Sequence, residues 1–308
     1  MRDFLFYIFT KIKIDKEKIA KITLNSDFYD VLEKTKQAHK KHKKVANILS
    51  SIGIFLIILV VFGYFLIENK AFFAAISIMI SLFVTYLLLG IYMSSYREYM
   101  EFYKENFITF IIKDIDKDFQ YTYEKIRDFD HTFSDVGIWQ YDGITKEDFI
   151  TGKYNGILFE FAEFAFASKG CKQFGTILTC EFNKKFKHNL KIINKKLSFW
   201  SFFKKIRLKT ENKDFNSIFD IKSDEEFEKY YLLSPSFMEK LVDINNSGKF
   251  GFISVVFKDG KIYVFGESGR DLFEAYTTFE PTLELAKYYK MMILEILSII
   301  DELKLSSN

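Results

Sequence analysis

The stretch VANILSSIGIFLIILVVFGYFLI, from Val45 to Ile67, is followed after three residues by AFFAAISIMISLFVTYLLLGIYM, from Ala71 to Met93. Each stretch is 23 residues long and contains no Asp, Glu, Lys, Arg or His. A helix needs about 20 apolar residues to cross the hydrocarbon core of a bilayer. Because backbone polar groups cannot stay unpaired in lipid, the sequence predicts two spanning helices joined as an antiparallel hairpin.

Positive charge is concentrated directly before the first span, in the run from His39 to Lys44, which holds four lysines and two histidines. The turn between the spans has one lysine. Loops rich in Lys and Arg stay in the cytoplasm, so we expect a multi-pass protein of the inner (cytoplasmic) membrane with both termini cytoplasmic. We expect the lysines to contact phospholipid headgroups of the bilayer, with no nucleic acid as a partner.

The remaining roughly 260 residues are enough for one or two modest domains. The chain has 308 residues, of which 49% are hydrophobic and 28% are charged, and its net charge is +3. This composition is typical of folded protein and indicates no global nucleic-acid surface. Cys171 and Cys180 would face the reducing cytoplasm, where we expect small, half-buried residues without a redox role.

We expect an α+β fold in which a transmembrane hairpin with helical stalks carries a two-part cytoplasmic domain with antiparallel β-hairpins. Asp259-Gly260 between two apolar runs predicts a β-hairpin with a type I′ turn. Ser234 before Pro235 is typical of a helix start. The predicted segments are an N-terminal helical segment (1–44), the hairpin (45–93), a stalk helix (94–127), a β-rich subdomain (128–204), an α+β subdomain (205–280) and a C-terminal helix (281–308).

Apolar spacing predicts which side chains are buried. In the run Ile157 to Phe166, Phe159 and Phe161 share one face of a strand, whereas Phe164 and Phe166 share the other. Either both faces are covered or a bulge shifts the register. The C-terminal helix has an apolar stripe wide enough to favour burial against the protein's own domain or stalk over a coiled coil between chains. Before the first span, apolar or small residues recur at helical steps at Phe28, Val31, Leu32, Thr35 and Ala38.

Ser77, Ser81 and Thr85 lie four residues apart on one face of the second span. Small hydroxyl residues at this spacing let helices approach closely, either within the hairpin or between the hairpins of a homo-oligomer. Neither span holds an ionisable residue, so a transport pathway is not indicated.

The run from Lys195 to Lys209 places aromatic side chains between two basic flanks. They could fill a crevice between the two subdomains or form a loop at the membrane interface. Stacking on single-stranded nucleic acid is the least favoured of the three readings. The aromatic residues are Phe199, Trp200, Phe202 and Phe203.

No motif indicates catalysis. His131 and His188 have no neighbouring ligands for zinc. Five carboxylates of the β-rich segment could hold a hard cation, but their spacing matches no calcium loop and we expect them to be solvated. They are Asp142, Glu147, Asp148, Glu160 and Glu163. We therefore expect no catalytic residues, no metal and no cofactor, and a protein that is not an enzyme.

Several stretches resemble a bacterial membrane family catalogued as domain of unknown function 3137. The stretches are Lys146 to Gly152, Gly175 to Phe186, Ile206 to Leu241, Gly260 to Val264 and Leu272 to Glu274. The resemblance covers about half of the chain and includes no catalytic motif. Members of this family are often encoded near LemA-type membrane proteins, so the resemblance implies a membrane partner of that kind.

These features favour a membrane-anchored scaffold or protein-interaction module. The alternative is a lipid- or ligand-binding sensor that uses the crevice near Trp200. A hydrolase or transferase would require a pocket that joins several of Asp142, Asp148, Glu160 and His131 with perturbed pKa values.

Overall fold

The computed structural model describes residues 16–66, 70–128, 143–168, 171–181, 189–198, 207–223 and 232–302. The chain divides into two compact units. The hairpin unit comprises residues 25–110 and 274–283, and the sheet unit comprises residues 1–24, 111–273 and 284–308. The segment 274–283 therefore belongs to the same unit as the two predicted spans, although it is distant from them in sequence.

The structure contains both helices and a β-sheet, with every described strand in the sheet unit, which confirms the predicted α+β fold class. The helices are α1 (Lys16–Ala20), α2 (Phe28–Leu66), α3 (Lys70–Phe102), α4 (Thr109–Ile115), α5 (Lys195–Ser198), α6 (Lys213–Ile218), α7 (Pro235–Asn246) and α8 (Leu283–Glu302). The strands are β1 (Gln120–Thr122), β2 (Ile126–Asp128), β3 (Gly143–Tyr154), β4 (Ile157–Ser168), β5 (Cys171–Glu181), β6 (Leu190–Asn194), β7 (Arg207–Leu208), β8 (Phe219–Ser223), β9 (Ile253–Lys258) and β10 (Lys261–Glu267).

Helices α2 and α3 pack against each other in the hairpin unit. Both belong to helical stretches that are long enough and apolar enough to cross a membrane, with mean hydropathy of 2.7 and 2.4 in their most apolar windows. Large apolar side chains point outward along both helices; Phe62 is 61% exposed and Leu82 is 68% exposed. A continuous apolar surface of this kind marks a site of contact with lipid or with another protein.

The helix that follows the second span is shorter than the sequence predicts. Helix α3 continues through a π-helical turn, Tyr103–Ile108, into α4, which ends at Ile115 instead of near Arg127. The carboxylate of Asp116 accepts a hydrogen bond from the Asp118 backbone N–H at 2.9 Å, which is the geometry of an Asx turn. Strands β1 and β2 occupy the rest of the predicted stalk.

The sheet unit is built on one ten-stranded sheet. Its strand order is β1-β3-β4-β5-β10-β9-β6-β8-β7, with β2 also paired to β3, and each of these described pairs is antiparallel. The hairpin β9-β10 inserts between β5 and β6. The sheet is therefore continuous across residue 204, where the sequence placed a boundary between two subdomains.

Both faces of the central strands are buried. Phe159 and Phe161 lie on one face of β4 and Phe164 lies on the other, and each is at most 4% exposed; the side chain of Phe166 lies outside the described residues. A bulge is also present, but it lies in the neighbouring strand β3, between Glu147 and Ile150. On the Phe164 face, a buried apolar cluster contains Ile144, Phe149, Ala162, Phe164, Ile177, Val256 and Phe265.

Local signals in the C-terminal half are confirmed. Asp259 and Gly260 have φ of 51° and 72°, as a type I′ turn requires, and they join β9 to β10. The Ser234 hydroxyl accepts a hydrogen bond from the Phe237 N–H at 3.2 Å and caps α7. Helix α8 buries eleven side chains, among them Tyr289, whose ring contacts Phe273.

Candidate functional site at the base of the hairpin

A seven-residue pattern of burial runs along α2 before the first span. Five side chains at alternating steps of four and three are at most 6% exposed. This spacing is the seam of two packed helices. The five residues are Phe28, Leu32, Thr35, His39 and His42. The two histidines of the basic run are therefore core residues, whereas the four lysines around them are exposed.

His39 connects α2 to the segment 274–283. Its Nε2 lies 3.0 Å from the carbonyl oxygen of Thr277. Because a carbonyl oxygen only accepts, Nε2 is the nitrogen that carries the proton. The other ring nitrogen, Nδ1, is buried and has no hydrogen-bond partner among the described residues. The ring packs edge-on against Tyr99, with centroids 5.5 Å apart.

His42 lies one turn closer to the first span, in an aromatic cage. Its Nδ1 is 3.0 Å from the Ser95 hydroxyl, and its ring stacks on Tyr99 at 5.7 Å with an interplanar angle of 8°. The rings of Tyr92 and Tyr96 lie 5.4 and 5.7 Å away. Its Nε2 is also buried without a partner in the part of the chain that the structure describes.

This arrangement keeps the cluster neutral. Burial lowers the pKa of both His39 and His42, and the nearby charge of Lys43 lowers the pKa of His39 further. The hydrogen bond to Thr277 opposes this effect in part. Burial, together with the charge of Glu274, raises the pKa of Tyr99. Neutral imidazoles and phenols can therefore remain buried beside the two apolar stretches at neutral pH.

Two further contacts hold the segment 274–283 to the base of the hairpin. Tyr96 donates a hydrogen bond to the Glu274 carboxylate, and burial and this bond raise the pKa of Tyr96. Lys40 lies 3.5 Å from Glu280. Together with the bond from His39, these contacts join three side chains of the hairpin to one distant stretch of chain.

The three hydroxyl residues of the second span, Ser77, Ser81 and Thr85, line one groove of about 550 Å³ that residues of both helices form. Ser77 is 8% exposed, whereas Ser81 and Thr85 are exposed. Packing of this groove against the hairpin of a second copy remains a prediction. Of the four span ends, Val45 is half-buried, Ala71 and Met93 are exposed, and Ile67 lies outside the described residues.

A second polar cluster lies in the sheet unit. Carboxylate oxygens of Asp148, Glu163 and Asp271 lie within 4.8 Å of one another, a spacing at which three carboxylates could hold a hard cation. Asp148 sits in the β3 bulge with φ of 56° and accepts a hydrogen bond from the Tyr121 hydroxyl. Glu163 accepts a bond from the Leu272 N–H at 3.2 Å.

The expectation that these carboxylates are solvated is therefore wrong for most of them. Glu147, Asp148 and Glu163 are at most 6% exposed, and Glu147 pairs with Lys125 at 2.8 Å. Only Glu160 of the described members is exposed, because the bulge and the strand pairing turn the others inward. Each of these three buried carboxylates contacts a donor within the protein.

Cys180 is 3% exposed, and burial raises the pKa of its thiol to about 12. It is thus more deeply buried than predicted and not primed for thiolate chemistry. Several other predicted residues lie outside the described residues. They are Phe199, Trp200, Phe202, Phe203, His131, Asp142, His188 and the side chain of Cys171.

Residues 173–305 match the DUF3137 family. The family is described as "Protein of unknown function (DUF3137)", so it assigns no activity. The similar stretches from Gly175 onward lie within this match, whereas Lys146 to Gly152 precede it. No curated protein and no solved structure matches the chain.

The sequence interpretation missed the buried histidines, although a signal was present. The predicted seam stopped at Ala38, but the same steps of four and three continue through His39 and His42. Two histidines among four lysines have the composition of a charged surface. Extension of the periodicity across the basic run would have placed both on the buried side of α2.

Proposed function

We propose that the protein is a multi-pass protein of the bacterial inner membrane that presents its sheet unit in the cytoplasm as a protein-interaction module. The observation that carries the proposal is the exposed apolar surface of α2 and α3, which contains no charge over two stretches of 23 residues. Such a surface is stable only when lipid or protein covers it.

A non-enzymatic role is part of this proposal. The buried carboxylates of the sheet unit have donors within the protein, such as Tyr121 for Asp148 and the Leu272 N–H for Glu163. The buried Cys180 thiol is a poor nucleophile because its pKa is raised. These features favour a folded, inert domain that acts through its surface.

We propose a LemA-type membrane protein as the first partner to test. The chain would be co-expressed with such a protein, cross-linked in cells and purified in detergent. We expect the LemA-type protein to be recovered cross-linked to this chain. A version whose spans are replaced by an unrelated two-helix hairpin separates binding by the sheet unit from binding by the membrane segment. Recovery of the chain alone, under conditions that preserve a known complex, would contradict the proposal.

Lipid or ligand sensing at the inner face of the membrane is the second candidate. The aromatic residues between the basic flanks at 195–209 support it, because such a sequence suits the membrane interface. In a Trp139→Phe variant, Trp200 is the single tryptophan, and its fluorescence should shift to the blue when the full chain is placed in anionic rather than zwitterionic nanodiscs. An identical spectrum in both would count against this candidate.

A further inference from the structure

One face of α2 changes from cationic to apolar as the helix enters its first apolar stretch. Residues at steps of three and four form a stripe along this face and line a groove of about 500 Å³. We call this surface the lysine face. It contains Lys40, Lys43, Lys44, Asn47, Ile48 and Ile52.

The charge of the lysine face is only partly compensated. Lys40 pairs with Glu280 at 3.5 Å. Lys43 and Lys44 are exposed, and within the described ranges of the chain neither forms an ion pair. Their neighbour Lys41 is also exposed, but it pairs with Glu98 at 2.5 Å. The lysine face therefore has two positive charges available for an anion, immediately before Val45.

The other end of the face is apolar and open. Ile48 is 50% exposed and Ile52 is 40% exposed. From Lys44 to Ile52 the helix rises about 12 Å at about 1.5 Å per residue, which is close to the distance from a lipid phosphate to the upper part of its acyl chains. Asn47 lies between the two ends, and its exposed amide can donate a hydrogen bond to a phosphate or ester oxygen.

We propose that the lysine face binds one anionic glycerophospholipid of the inner leaflet. Its phosphate lies against Lys43 and Lys44, and an acyl chain lies along Ile48 and Ile52. Zwitterionic lipid offers the same chains but no net negative charge, so it binds less tightly. This inference rests on the proposed function, because the lysine face meets lipid only if the two helices are inserted in a membrane.

The test compares two variants of the full chain in nanodiscs that contain phosphatidylglycerol and phosphatidylcholine. One variant carries Lys43→Gln and Lys44→Gln, and the matched control carries Lys41→Gln. Native mass spectrometry counts the phosphatidylglycerol that stays bound after release from the disc. We expect the double variant to retain roughly tenfold less of this lipid than the unmodified chain, and the control to retain nearly as much.

Two results would overturn the lipid site. In one, the double variant keeps as much phosphatidylglycerol as the unmodified chain; in the other, Lys41→Gln lowers retention equally, which shows a general effect of charge. Extraction of cell membranes with alkaline carbonate distinguishes these two results from a chain whose helices do not span the membrane. If the helices do not span the membrane, the unmodified chain itself appears in the soluble fraction.

Discussion

At the scale of single residues, this protein buries polar groups in both the hairpin unit and the sheet unit and accommodates them by different means. At the base of the hairpin, desolvation keeps His39 and His42 uncharged. In the sheet unit, a carboxylate such as Asp148 is buried beside a hydroxyl donor. The first cluster is therefore sensitive to pH, because protonation would place a charge in the seam next to Lys40 and Lys43.

Acidification is expected to loosen the base of the hairpin. Because the folded pKa of each histidine lies below its ordinary value of 6.5, the unfolded state binds protons first. The stabilisation is complete above about pH 6.5 and is lost as the pH falls through the folded pKa. Hydrogen exchange of residues 35–42, corrected for the intrinsic rate, should accelerate severalfold from about pH 7.5 to about pH 5.5.

A variant without titratable groups in the seam serves as the control for this experiment. In His39→Gln with His42→Gln, the side chains stay neutral at both pH values, so the acceleration should largely disappear. Amides of α7 should show no comparable change in the unmodified chain. An equal acceleration in the double variant would assign the effect to other groups.

Removal of the Tyr121 hydroxyl should destabilise the sheet unit. Tyr121→Phe leaves the fully buried Asp148 without this donor, and such a loss costs about 1 to 3 kcal/mol in the free energy of unfolding. The matched control is Tyr154→Phe, since Tyr154 also donates to a carboxylate, that of Asp301, but at an exposed site. Denaturant unfolding measures both. Equal losses of unfolding free energy in the two variants would show that the burial of Asp148 does not increase the contribution of its hydrogen bond to stability.

At the scale of secondary structure elements, the close approach of neighbouring strand backbones requires glycine at some positions. The local sequence pattern does not predict which positions these are. Gly175 lies in β5 between β4 and β10. A Cβ at this position would come within 2.6 Å of the Gly266 carbonyl oxygen and of the Phe164 ring. Because one of these atoms belongs to the backbone of a paired strand, it cannot move aside without disturbing the ladder.

Gly175→Ala should therefore destabilise the sheet unit by about 1 to 3 kcal/mol. Thr179→Ala in the same strand is the control, since Thr179 is half-buried and should cost less than Gly175→Ala. Chemical denaturation of the purified chain reports both free energies. If both substitutions cost the same, the contact with Gly266 does not constrain this position.

At the scale of the whole molecule, the chain combines a hairpin unit with an exposed apolar surface and a sheet unit with a conventional buried core. Segments distant in sequence complete both of them. Residues 274–283 join the hairpin unit, and α8 joins the sheet unit. The match to DUF3137 covers residues 173–305 and thus begins after both apolar stretches.

The proposed orientation predicts that both ends of the chain are cytoplasmic. A fluorescent protein that matures in the cytoplasm should be active when fused to either terminus, and alkaline phosphatase, which needs the oxidising exterior, should not. The same phosphatase inserted between Glu68 and Lys70 should be active. Phosphatase activity at a terminus would contradict the orientation.

The sequence by itself determined the features that depend on neighbours along the chain. The length and composition of the two apolar stretches within α2 and α3, the Asp259-Gly260 turn and the Ser234 cap follow from local chemistry. The apolar stripe of α8 also followed from the sequence, because helical periodicity is visible without knowledge of the partner surface. The family resemblance was visible for the same reason, since it is a property of the sequence.

Only the tertiary structure decided which strands pair and which polar residues are buried. The insertion of β9-β10 between β5 and β6 joins two predicted subdomains into one sheet, and no local pattern encodes that non-local pairing. The same holds for His39, whose partner Thr277 is remote in the chain. A histidine among lysines has the same local sequence whether it is solvated or buried, and the packing of α2 in the hairpin unit resolves the difference.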